Sequence, residues 1–275
     1  MSGKHFGTAD ADVILRSVDG QEFHVHKSML SITSPVFRDM FTLPQPPSPG
    51  PSSIPVVDMC ELGNVLDLFL RCLYPVSRPA VEDLGLLEAL LTAAEKYETD
   101  VVLDVVGSWL VTPENLKKDP LRAYAIACTS AAFDEQAKFA AKSMTFNTID
   151  SAHPDAIARL TTMDHHRLVV YLVHREKEAS RVISEPSWTI FYTPRCACGT
   201  DARTRLQEEI KKAILDAFVE NPSLTTERAT VLAFKQLAKV HPCDHNQNCS
   251  LIAQGEEYVG ELVGRLRRMS DSLLW

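Results

Sequence analysis

The sequence predicts an α+β fold: a short three-stranded sheet capped by helices, followed by an all-α region. Three observations carry that expectation. An Asp19-Gly20 pair lies between two short β-prone runs, the strongest short-range hairpin signal. Apolar residues then switch from alternation to recurrence at three and four positions from Lys27 onward, the change from strand to helix period. A proline-rich stretch is followed at once by the β-branched residues Ile54, Val56 and Val57, which read as a third strand.

Taken in order, Asp12 to Val18 and Gln21 to Val25 form the hairpin, with Phe23 and Val25 on one face. Lys27 to Phe41 reads as two short helices interrupted at Ser34-Pro35, since proline fits the first turn of a new helix. Leu30, Phe37, Met40 and Phe41 recur at helical spacing and are expected in the core. From Leu43 to Pro55 six prolines, with serines and one glycine, exclude helix and ladder and give an exposed loop. Buried helices follow, marked by Leu62, Leu66, Phe69, Leu70 and Leu73, by Leu84, Leu87, Leu91 and Ala94, and by Val101, Val102, Val105, Val106 and Trp109.

Beyond Asp119-Pro120 helices are expected around Leu121 to Cys128, from Glu135 to Phe146 and from Asp164, as N-cap, to Ser184. Trp188 to Tyr192 is a strand or linker between Pro186 and Pro194. Three more helices are expected over Asp201 to Glu220, Thr225 to Val240 and Glu256 to Leu274. A domain of about 100 residues followed by a second helical unit is expected, with the bounds 10–112 and 113–275 set by the resemblance of the first unit to a known family.

Composition narrows the function. A chain of 275 residues with 45% hydrophobic and 23% charged residues can bury a core, and its net charge of -8 argues against a nucleic-acid-coating surface. Met1 to Asp12 lacks the apolar stretch of a secretory signal, and no apolar run approaches bilayer length. A cytoplasmic or nuclear protein is expected, with no membrane partner and no direct nucleic-acid partner. Cys60, Cys72 and Cys128 sit among apolar residues and read as core.

No Gly-x-Ser-x-Gly elbow, Gly-x-Gly-x-x-Gly loop or Gly-x-x-x-x-Gly-Lys-Ser/Thr loop occurs, so nucleophilic and nucleotide-dependent catalysis have no visible machinery. The expectation is a non-enzyme. Asp164-His165-His166 reads as a solvated helix start, because adjacent helical positions point about 100° apart. One metal site remains a candidate. Cys196 and Cys198, then Cys243 and Cys249 with His245 as a substitute, lie on either side of two expected helices, whose antiparallel crossing returns the chain to the same end. Four thiolates suit one structural zinc ion; the alternative is four reduced cysteines in loops.

Residues 11–41 resemble the opening of a BTB/POZ domain. Asp12, Phe23, Val25, His26, Lys27, Leu30, Ser34, Phe37, Met40 and Phe41 match the family's pattern in order and spacing, and the resemblance covers about residues 10–112. Asp12 and His26, polar among hydrophobes, are expected to be satisfied by hydrogen bonds. The stretch after Asp119-Pro120 is similar to the BACK-like helical region of a large fungal (basidiomycete-type) family of such proteins. The resemblance implies homodimerisation through the first helix and neighbouring strand, with Val13, Leu15 and Met29 as apolar interface candidates, and an unknown protein partner for the C-terminal helices. It also implies, for some members, adaptor function with a cullin scaffold in ubiquitin transfer or co-regulation of transcription. The cullin-binding members carry a hydrophobic residue and an acid soon after the Met40-Phe41 position. Here the stretch is Thr42-Leu43-Pro44-Gln45-Pro46-Pro47, without an acid, and no zinc-finger array or Kelch module follows.

Overall fold

The computed structural model describes residues 6, 10–43, 54–145, 148–149, 154–184, 211–218, 228, 259–266 and 268. Two strands, β1 (Val13–Arg16) and β2 (Glu22–Val25), pair antiparallel in the register Val13 to Val25 and Arg16 to Glu22. β3 (Val56–Asp58) pairs with β1 in parallel, giving the order β2-β1-β3. Alternation puts Val13, Leu15, Phe23 and Val25 on the inner face, each at most 1% exposed. Asp-Gly serves as the end of a longer turn from Ser17 to Gln21. Gly20 has φ +82° while Asp19 does not enter the positive-φ region, and a two-residue turn of this kind would need both.

The helices α1 (Lys27–Thr33) and α2 (Pro35–Thr42) divide at Ser34, whose side chain accepts the Phe37 N–H at the start of α2. After β3 come α3 (Gly63–Leu73), α4 (Leu84–Lys96) and α5 (Asp100–Leu110). Asp83 caps α4 by accepting from Gly85 and Leu86. The core joins the inner sheet face to Leu30, Phe37, Leu66, Phe69, Leu70, Leu87 and Leu90, all essentially buried. Each such side chain stabilises the fold by about 1.5–3 kcal/mol.

Several expectations are corrected in detail. Met40 and Phe41 are half-buried rather than core, at the outer edge of α2. Cys60 is exposed, in the bend before α3; Cys72 is buried and Cys128 half-buried. An additional helix, α6 (Pro113–Lys118), precedes α7 (Pro120–Cys128), each started by a capping side chain, Thr112 and Asp119, with proline at the first position.

A first compact unit comprises Met1–Ala137. α6 and α7 pack on α5 and α4. The buried Asn115 side chain ties the region together by donating to the carbonyls of Val81 (3.0 Å) and Trp109 (2.8 Å).

The division falls inside α8 (Asp134–Lys142), and the second unit comprises Lys138–Trp275. It holds α9 (Pro154–Ala158) and α10 (Thr162–Ser184). The cap of α10 is Thr161, not Asp164. The Asp164 N–H donates to the Thr161 hydroxyl (3.1 Å), which in turn donates to the Asp164 carboxylate, a reciprocal arrangement like a capping box. Arg175, 4% exposed, donates to the carbonyls of Lys142 (3.3 Å) and Met144 (2.6 Å), satisfying chain that follows the end of α8. Residues 211–218 and 259–266 are helical, within two of the three C-terminal helices expected.

Candidate interaction surface

The surface is built from the junction of hairpin and first helix. Asp12 lies just before β1, and its carboxylate accepts the Lys27 N–H at 2.7 Å, satisfying a free donor at the start of α1. His26 is the N-cap of α1 but makes no side-chain cap bond. Its backbone N–H donates to the Tyr74 hydroxyl at 2.8 Å, its Nδ1 lies 3.3 Å from that hydroxyl, and its Nε2 lies 3.3 Å from the Asp10 carboxylate. Burial raises the Tyr74 phenol above its ordinary range. Phe6 closes the other side, edge-on to Phe23 and Tyr74, with its carbonyl accepting the His24 N–H at 2.9 Å. Asp12 and His26 are thus satisfied polar groups that fix where α1 starts.

A second set of contacts fixes the angle at which α2 leaves α1. The Ser34 hydroxyl, wholly buried, donates to the Tyr97 carbonyl at 2.5 Å while accepting from Phe37. Tyr97 stacks on Phe37 with centroids 4.8 Å apart and meets Phe69 edge-on. Its phenol donates to Glu61 at 2.8 Å, and Glu61 also accepts from Lys96 at 2.9 Å. Burial pushes the Tyr97 phenol up to about 12. The Lys27 ammonium lies 5.7 Å from the centroid of Phe41.

What this frame presents outward differs from expectation. Val13 and Leu15 are 0% exposed: both point into the core of the first unit, which corrects their place among the interface candidates. Met29 is half-buried on α1. The residue missed is Ile32, 80% exposed. It lies three positions from Met29, and residues at that spacing share a helix flank, so the pattern Met29-x-x-Ile32 was a usable signal. Tyr74, Tyr97 and Glu61 were also missed, because each acts across 36 or more residues of sequence.

Among the described residues no group of three or more His, Cys, Asp or Glu side chains could hold a metal ion. The candidates Cys196, Cys198, Cys243, Cys249 and His245 lie outside the described residues, as does the chain from Pro44 to Ser53. Among the described residues no helix is long and apolar enough to cross a membrane.

Residues 6–113 match the family model of the BTB/POZ domain, and this part of the chain is a BTB/POZ domain. Such domains are generally non-enzymatic interaction modules that self-associate and bind partners. A comparison with curated proteins finds no match to the chain.

Proposed function

We propose that the chain is a non-enzymatic interaction protein of the cytosol or nucleus, whose BTB/POZ domain joins two copies through the flank of α1 bearing Met29 and Ile32. The helical second unit, read as BACK-like, binds a partner protein. The observation that supports this most is Ile32: a β-branched aliphatic side chain, 80% exposed, on a helix fixed at its start by Asp12 and at its end by Ser34. In a two-fold contact each such residue is buried twice. At about 1.5–3 kcal/mol per side chain, the pair contributes roughly 3–6 kcal/mol of association. Light scattering of the full chain at micromolar concentration should give twice the mass of one chain. Ile32→Asp, at an exposed site, should leave the circular dichroism spectrum intact and weaken the dimer by about a hundredfold or more. A strictly monomeric chain, or a dimer indifferent to this substitution, refutes the proposal.

A further inference from the structure

The other end of the β1–β2 hairpin carries two further exposed apolar residues, at positions where a fold alone would favour polar ones. Val18, in the turn from Ser17 to Gln21, is 66% exposed, and Leu62 is 53% exposed. Turns of this kind favour Gly, Asn, Asp and Ser. Leu62 is the N-cap of α3 and makes no side-chain cap bond, although Ser, Thr, Asp and Asn are the residues that stabilise this position. The missing cap comes from the hairpin: the Asp19 carboxylate accepts the Gly63 N–H at 2.8 Å. Leu62 is thereby released from the capping role that its position usually imposes.

The pair is held rigidly. The Val18 N–H donates to the Glu61 carbonyl at 3.0 Å, the Gly20 N–H to Ser17 at 2.9 Å, and the Gln21 N–H to the Ser17 hydroxyl at 2.9 Å. The Gln21 side chain lies where a Cβ on Gly63 would sit, so the turn rests directly on the start of α3. The chain segments that carry Val18 and Leu62 are therefore held side by side before binding, which lowers the ordering cost.

The surroundings are acidic. Asp19 is fully exposed, and its hydrogen bonds, first with Ser17 and then with the Gly63 backbone, hold its carboxyl below the usual range. Two residues before Val18, Arg16 lies between Glu22 (2.9 Å) and Asp58 (3.4 Å), both substantially exposed. Arg16 is thus shared by two carboxylates, Glu22 and Asp58, and Asp19 adds a third in the adjoining turn. Glu61 is matched by Lys96 and leaves the balance unchanged.

We infer that Val18 and Leu62 form a docking surface for a short segment of a partner protein carrying apolar residues flanked by Lys or Arg. The apolar pair supplies the anchor, and the acidic rim favours cationic flanks and disfavours acidic ones. The site is separate from the proposed self-association surface, because α1 starts at the end of the hairpin where Val13 pairs with Val25, whereas Val18 lies past Arg16 at the turn.

The test is selection of a random phage-displayed peptide library on the full chain, in parallel with Ile32→Asp and with the double variant Val18→Ser, Leu62→Ser. Serine suits both a turn and an N-cap, so the double variant should melt no lower than the wild type. Wild type and Ile32→Asp should enrich the same peptides, rich in Lys or Arg beside aliphatic or aromatic residues, and sodium chloride should weaken their capture. The double variant should capture them about a hundredfold less or worse, the loss expected from removing two aliphatic anchors. The inference is overturned by any of four results: no enriched peptide, enriched peptides without basic residues, capture undiminished in the double variant, or a double variant that melts markedly lower because the pair serves the fold. Weakened self-association in the double variant would also overturn it, by making the patch a contact between copies.

Discussion

Replacing Ser34 by alanine tests whether the joint between α1 and α2 holds the domain together. The hydroxyl makes two contacts in a wholly buried position: it accepts the Phe37 N–H at 3.1 Å and donates to the Tyr97 carbonyl at 2.5 Å. Alanine removes the cap of α2, a loss of about 1 kcal/mol. It also removes a donor from the Tyr97 carbonyl in a buried setting, at about 1–3 kcal/mol. Together these predict a destabilisation of about 2–4 kcal/mol, read as a lower urea midpoint with an unchanged slope. Ser34→Gly separates the two contributions, because glycine costs only a few tenths of a kcal/mol relative to serine as a cap yet also lacks the hydroxyl. If the bond to Tyr97 dominates, Ala and Gly should be nearly equally damaging. A loss below about 0.5 kcal/mol for alanine, the range of ordinary surface substitutions, would refute the reasoning and reduce the Ser34–Tyr97 contact to a packing coincidence.

The parts of this molecule that the sequence made legible are those governed by local period and by punctuating residues. Alternation placed Phe23 and Val25 on one face, Pro35 marked the start of α2, and Asp119-Pro120 marked that of α7. Other features depend on contacts between distant segments, which no local pattern contains. Val13 and Leu15 are aliphatic, and only the packing of helices beneath the sheet decides that they face the core rather than a neighbour. Met40 and Phe41 lie on an apolar helical pattern that identifies a side but not how far the neighbouring elements reach across it. The end of α4 was unreadable for a different reason. Thr99 N–H bonds to Ala94 O and Glu98 N–H to Glu95 O, the paired bonds of a Schellman motif, but the position that usually holds glycine holds Glu98, with φ +49°. At the candidate surface the sequence pointed to α1 through Met29 and, at helical spacing from it, offered Ile32, whereas the exposure of Val18 and Leu62 became visible only in the structure.

Two further expectations can be checked on the purified chain. Glu98→Gly should stabilise the first unit by about 0.5–1 kcal/mol, since a left-handed conformation costs an L-residue about 1–2 kcal/mol and glycine returns part of that as chain entropy; a lower melting temperature would show that the Glu98 side chain has a compensating role. The last concerns the cysteines of the second unit. Cys196 and Cys198 are separated from Cys243 and Cys249 by a chain segment in which residues 211–218 are helical, and an antiparallel return across this region would bring the four thiols to one end. If they bind zinc as four thiolates, metal analysis should find about one equivalent, and Cys196→Ser with Cys243→Ser should abolish it. Because thiolates must lose their protons to bind, the metal should leave as pH falls. Chelation should then loosen the C-terminal helices, whereas the BTB/POZ domain, which contains none of these cysteines, should retain its melting transition. Zinc below about a tenth of an equivalent, unchanged by the substitutions, eliminates the site. Zinc that survives both substitutions would instead assign it to other ligands, with His245 the first to test, since imidazole is the usual replacement for a thiolate in tetrahedral zinc sites.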